Sequence, residues 1–256
     1  MSQSVAIVTG ASQGIGRSTA IRLARDFDSV ALVARNRANL AETATAVTEA
    51  GAEPLVVDAD LADPAAARGV VDRTLTTFGR IDALLNIAGA VPQVDLFDMS
   101  DEQWDQGLAL KLHGARRLTV AAWPALKKSK GSVVLISGNS ALFPKAPYAA
   151  VGTVNAAIVA LAKAFSDRGI ADGIQVNSVL PGPVMTGRRR SYLEHWAPLH
   201  HMTVEEATDR FPREAGIERY GEPDEIAELM AFLVSPAARW MTGSALRMDG
   251  GEVKSV

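Results

Sequence analysis

The feature that most constrains the fold of this chain is a glycine-spaced segment, Thr9-Gly10-Ala11-Ser12-Gln13-Gly14-Ile15-Gly16, set directly between a β-rich run (Val5 to Thr9) and a helical pattern. Glycine tolerates the tight turn and lets a ligand approach the backbone closely. Free amides at the start of the helix, together with its positive dipole end, favour negative charge there. A strand before and a helix after turn a glycine triplet into a pyrophosphate site. Gly10, Ser12, Gln13, Gly14, Ile15 and Gly16 are therefore the first candidate binding residues.

The same β-then-helix alternation continues along the chain. Seven short runs read as strands: Val5 to Thr9, Ser29 to Val33, Leu55 to Val57, Ala83 to Asn86, Val133 to Ser137, Ile174 to Val179 and Leu246 to Met248. Between them, Ile15 to Asp26, Ala38 to Ala50, Pro64 to Phe78, Asp101 to Lys127 and Val151 to Asp167 read as helices. The strands lack polar alternation, as strands do when helices cover both faces of a parallel sheet. The expected fold is a Rossmann-type, doubly wound α/β sheet of about seven strands, with ligands at the carboxyl ends of the strands. With 256 residues, 48% of them hydrophobic, residues 1–256 fit one domain around one large core. Gly187 to Ala215 is the irregular region, carrying Arg188-Arg189-Arg190, Trp196 and His200-His201, and is read as a lid or binding loop.

Composition narrows the function classes. A net charge of -3 gives no broad basic field, so nucleic acid is not an expected partner. There is no cysteine, hence no disulfide framework, thiolate metal site or cysteine nucleophile, which fits a reducing cytoplasm. The start of the chain, Met1-Ser2-Gln3-Ser4, carries no basic run ahead of a long apolar one, and no segment is read as a membrane span. No His, Asp or Glu spacing suggests a metal site, and His195, His200 and His201 read as exposed loop residues.

Three further segments extend the glycine loop into a resemblance. Asn86-Ile87-Ala88-Gly89, Val176-Asn177-Ser178-Val179-Leu180-Pro181-Gly182 and Met248-Asp249-Gly250-Gly251 follow it in the order found in the short-chain dehydrogenase/reductase (SDR) family, which the chain resembles over essentially its whole length. The resemblance implies that Asp60 and Leu61 border an adenine, that Asn86, Ala88 and Gly89 border a ribose, and that Val184 and Thr186, after Pro181-Gly182, meet a nicotinamide carboxamide. It also implies a homotetramer or homodimer joined through the fourth and fifth helices.

Cofactor choice turns on the end of the second strand, where an acid would bond a ribose hydroxyl and a base would accept a 2'-phosphate. Val33-Ala34-Arg35-Asn36-Arg37 holds no acid there. Arg35 can offer a bidentate, charge-assisted bond, with Ser12 as a neutral donor, so NADP(H) is favoured and NAD(H) remains open. Gln13 stands where NADP-using relatives often carry a basic residue.

The catalytic group departs from the family. Its chemistry uses a tyrosine as proton carrier, a lysine four residues later, a serine and an asparagine. In register, Val151 stands at the tyrosine position, Asn155 at the lysine position, Lys111 at the asparagine position and Gly138 at the serine position, with Ser137 and Ser140 nearby. Lysine and asparagine are thus exchanged between two helices. Tyr148 lies seven residues before Asn155, on about the same face of a continuous helix, although Pro147 puts it at the helix entrance. Two expectations follow. The first is an NADP(H)-dependent oxidoreductase of carbonyl or alcohol substrates, or of activated C=C or C=N bonds, using Lys111, Ser140, Tyr148 and Asn155. The second is a non-catalytic dinucleotide sensor or partner subunit of the same fold.

Overall fold

The computed structural model describes residues 3–255; Met1, Ser2 and Val256 lie outside the described residues. Seven strands form one sheet: β1 (Val5–Thr9), β2 (Ser29–Ala34), β3 (Glu53–Asp58), β4 (Ala83–Asn86), β5 (Ser132–Ile136), β6 (Gln175–Pro181) and β7 (Ala245–Met248). The order across the sheet is β3-β2-β1-β4-β5-β6-β7, and every neighbouring pair is parallel. Strand order reverses between β1 and β4, which opens the crevice where such sheets bind ligands.

Helices α1 (Gly14–Leu23), α2 (Arg37–Glu49), α3 (Ala66–Phe78), α4 (Asp101–Gly107), α5 (Ala115–Ser129), α6 (Ala149–Asp172), α7 (Gly187–Leu199), α8 (Val204–Ala215) and α9 (Pro223–Val234) follow in chain order. On one face of the sheet, Ala6, Val8, Leu32 and Leu85 pack with Leu23, Leu40, Ile226 and Met230 from α1, α2 and α9. On the other, Ile7, Val33, Leu84 and Leu135 pack with Val70, Leu118, Leu126 and Ile158 from α3, α5 and α6. Alternate residues of one strand enter opposite cores, which explains why the strands read as continuous apolar runs.

Four expectations need correction. Gly187 to Ala215 is a helical pair rather than an irregular stretch, with Thr186 capping α7 and a Thr203/Glu206 capping box opening α8. Pro198 and Pro212 sit near the ends of these helices, and prolines of that kind mimic loop chemistry in a sequence. His195 and His200 therefore lie on a helix, and the second ends it; His201 follows in the turn. The helical stretch Ala146–Asp172 is long and apolar enough to cross a membrane, contrary to expectation. Its α6 portion buries Ala150, Val154, Ile158 and Ala162 as a core helix. That helix runs past Asp167 because Gly169 does not end it. A Cβ there would stand 2.3 Å from the Ile174 carbonyl oxygen, so the glycine serves close packing. Finally, the helical stretch Asp101 to Lys127 is interrupted by a π-helical segment, Leu108–Gly114, between α4 and α5.

Candidate active site

A cleft of about 1390 Å³ runs along the carboxyl ends of the strands. Its floor at β1 and β4 is tied together by Thr9, whose Oγ1 accepts hydrogen bonds from the backbone N–H of Ile87 (2.8 Å) and of Ala88 (2.9 Å). Gly10, at φ +68°, lies so close to Ala88 that a Cβ would meet its backbone at 3.1 Å. A Cβ on Gly16 would stand 2.1 Å from the Gly10 carbonyl oxygen. The α1 N-terminus is therefore held against the turn with its amides open to the cleft, a cradle that a dinucleotide pyrophosphate fits. Gly14 abuts the Thr186 methyl, so the start of α7 meets the glycine loop.

Ser12, Gln13, Ile15, Arg35, Asp60, Leu61, Ala88, Gly89, Pro181, Gly182, Val184 and Thr186 all line this cleft, together with Gly10, Gly14 and Gly16. Asn86 is the exception among the candidates. It is buried beneath the floor, where its amide donates to Thr119 Oγ1 (3.1 Å) on α5 and its Oδ1 has no partner. At the far end, Arg35 is 69% exposed and 3.9 Å from Asp60. Arg37 stands 3.6 Å from Asp58. Acids thus approach the arginines from the end of β3, a proximity that strand pairing creates and the β2 sequence does not contain. Such long, exposed pairs are worth little and leave the guanidinium groups open to a better anion.

At the opposite end the exchanged lysine and asparagine meet. Lys111, on the π-helical segment, donates from Nζ to Asn155 Oδ1 (2.5 Å) and to the Ser137 carbonyl (2.9 Å). Asn155 Nδ2 donates to Ser140 Oγ (2.8 Å), while Ser137 Oγ donates to the Asn155 carbonyl (2.7 Å). Two glycines make room for this chain of contacts. A Cβ on Gly138 would lie 2.5 Å from Asn155 Nδ2, and one on Gly89 would lie 2.9 Å from Lys111 Cδ. Burial, then the charge of Arg188, lowers the Lys111 ammonium to about 8. Each effect disfavours the charged amine.

Lys111, Ser140, Tyr148 and Asn155 all line the cleft. Tyr148 is not on the same helix face as Asn155, because it precedes α6 as its N-cap at φ -150°. It reaches the cleft wall from a 3-10 turn, Ala146–Tyr148. Lining residues with no sequence motif include Asn139, Phe143 and Glu252, and Tyr192, Trp196 and Phe211 from α7 and α8. Asn139 Nδ2 donates to Glu252 Oε2 (2.6 Å) across 113 residues of chain, a pairing no local spacing could reveal. No group of metal-ligating side chains occurs among the described residues.

Residues 10–252 match the family model described as enoyl-(acyl carrier protein) reductase. L-rhamnose 1-dehydrogenase (NAD(P)(+)) from a Sphingomonas species is 32% identical over 248 residues, spanning 96% of this chain and 94% of the relative. Among solved structures, L-sorbose reductase from Gluconobacter frateurii, in complex with NADPH and L-sorbose, superposes with a TM-score of 0.95. It is 28% identical, over 100% of this chain and 98% of that one. A single-residue variant of actinorhodin polyketide ketoreductase with NADPH superposes with a TM-score of 0.93 at 30% identity, over 99% of this chain and 98% of that one.

Proposed function

The chain belongs to the short-chain dehydrogenase/reductase family and is an oxidoreductase of that type, and from that premise we propose that it is an NADP(H)-dependent reductase of a small carbonyl compound, or dehydrogenase of the alcohol, in which Lys111 takes the place of the proton-carrying tyrosine. The reading rests on one observation: the Lys111 amine bridged by Asn155 to the Ser140 hydroxyl.

When bound, NADPH supplies a hydride to the carbonyl carbon. The protein must then steady and protonate the carbonyl oxygen. An ammonium has three donors and no acceptor. Two Lys111 donors are engaged by Asn155 and Ser137, which fixes the amine and leaves the third for a ligand oxygen. Ser140 Oγ accepts from Asn155, so its own hydrogen is left to donate as well. The two donors stabilise the alkoxide as charge develops, and Lys111 transfers a proton from Nζ to that oxygen. In the reverse direction the neutral amine takes the alcohol proton. Asn155 is a positioning residue, and Tyr148 lines the substrate side of the same cleft.

Support for the cofactor comes from Arg35 and Ser12 on the cleft wall and from the NADPH-bound relatives; the NAD(P)(+) relative keeps NAD(H) open. The same reading extends to a cytoplasmic homodimer or homotetramer joined through α5 and α6, whose Val120 and Ile170 are exposed. Lys111→Met is expected to lower turnover by about a hundredfold or more while leaving the Kd for NADPH within about threefold. An unchanged turnover would remove Lys111 from the mechanism. Tight NADPH binding by the unsubstituted protein, with no hydride transfer to carbonyl, enone or imine acceptors, would instead favour a dinucleotide-binding subunit.

A further inference from the structure

The cleft continues beyond Lys111 beneath α7 and α8, where Arg188, Arg189, Tyr192, Trp196, Arg210 and Phe211 line it. The charges along this arm are unbalanced. Arg210 is paired with Glu214, and Glu252 accepts from Asn139. That leaves Lys111, Arg188 and Arg189 facing a single remaining carboxylate. Neither Arg188 nor Arg189 forms a salt bridge or donates a side-chain hydrogen bond among the described residues.

Arg189 is nonetheless held in place. Its guanidinium carbon lies 5.2 Å from the centroid of the Phe211 ring, 5.6 Å from that of Tyr192 and 5.9 Å from that of Tyr220. It is half-buried among them. Rings hold a guanidinium by its face or through its charge, and the five N–H donors at its edge then remain unfilled. The Tyr220 hydroxyl beside it is also buried without a partner. A half-buried cation held by rings, with no protein acceptor at its N–H edge, keeps that edge open to an anion in the cleft, where a charge-assisted pair would form. Arg188, exposed on the neighbouring position of α7, also lines the cleft and is near enough to Lys111 to oppose its protonation.

We infer that Arg189, with Arg188, receives a carboxylate of the substrate, so that the natural substrate is a keto acid or hydroxy acid with an apolar body lying against Tyr192, Trp196 and Phe211. A planar carboxylate matches the guanidinium edge bidentately. This inference rests on the oxidoreductase reading above, since it places the carboxylate on the molecule whose carbonyl meets Lys111.

The test is a binding titration that needs no turnover. Benzoylformate, 3-benzoylpropionate and their methyl esters are titrated into the protein with and without saturating NADP+, followed by calorimetry and by the fluorescence of Trp196 in the cleft wall. At least one acid is expected to bind about tenfold or more tightly than its ester. Arg188→Ala, at an exposed position, and Arg189→Lys, which keeps the charge but loses the fork, should each reduce that preference about threefold or more, with the NADPH Kd unchanged within about twofold. Equal binding of acid and ester, or no binding of any of the four, overturns the inference. So does a loss of NADPH affinity as large as the loss of acid affinity, which would assign these arginines to the cofactor pyrophosphate. Failure of the oxidoreductase reading has a different mark, namely NADPH binding by the unsubstituted protein without hydride transfer, or no NADPH binding at all, and the cofactor-free titration still decides the carboxylate.

Discussion

The two ends of the cleft are built on different principles. At the glycine-loop end, backbone meets backbone: Gly16 lies against the Gly10 carbonyl, Gly10 against Ala88, and Thr9 ties the exit of β1 to the exit of β4. At the reacting end, side chain meets side chain, with Lys111 from a π-helical segment, Asn155 from α6 and Ser140 from the β5–α6 connection joined in one hydrogen-bonded row. Backbone cradles depend on the absence of a side chain and tolerate almost no substitution. A hydrogen-bonded row depends on complementary donors and acceptors, so its members can be exchanged together if the space is cleared. Gly138 and Gly89 provide that space, as each leaves out a Cβ that would collide with Asn155 or Lys111. The π-helical turn is itself a costly distortion of the kind that gathers at functional sites.

The sharpest way to break this contrast is at the backbone cradle. Gly16→Val would drive a side chain into the Gly10 carbonyl, and NADPH affinity should fall by about a hundredfold or more, or the chain should fail to fold, as circular dichroism would report. Retained affinity would mean that the cradle does not hold the cofactor. Next in size is Gly138→Ser, which returns the family's serine but collides with the Asn155 amide. Turnover should drop by about a hundredfold, the lower end of what loss of one oxyanion donor costs. A gain in activity would show that the exchanged row is not the working arrangement.

The pH profile sharpens the reacting end. With Lys111 as the proposed proton donor, the rate of carbonyl reduction should fall as pH rises through about 8, while that of alcohol oxidation, which would use the neutral amine, should rise through the same range. Asn155→Asp would set a carboxylate against the amine and move that midpoint upward by about one unit or more. A midpoint that does not move would assign the titration to another group. The smallest effect is expected at the exposed adenosine end. Arg35→Ala should weaken NADPH about tenfold, or about 1.4 kcal/mol, and leave NADH nearly unchanged in paired fluorescence titrations. An equal loss for both nucleotides would mean that Arg35 does not read the 2'-phosphate.

How much of this was legible beforehand follows the same division. The glycine loop, the seven strands and the exit motifs at Asn86, Pro181 and Met248 are local: each is a short run of residues whose backbone demands fix its shape. Edge strand β3 reads as Leu55 to Val57 because Pro54 looks like a boundary, yet the edge position lets the strand begin at Glu53. Gly187 to Ala215 was not legible as helix, since prolines near two helix ends carry the same local message as a loop.

By itself the sequence determined the doubly wound sheet and the glycine loop set between its first strand and first helix, because periodicity and glycine spacing are properties of neighbouring residues. Only the tertiary structure decided that Lys111 and Asn155, 44 residues apart, bond directly, and that Asn86 turns beneath the cleft floor instead of lining it. It also decided that Arg189 stands among three aromatic rings drawn from α7, α8 and the segment after them. The physical reason is that a hydrogen bond or ion pair is decided by distances of a few tenths of an ångström between groups far apart in the chain. Such distances are set by how helices pack on the sheet, and no local pattern encodes them.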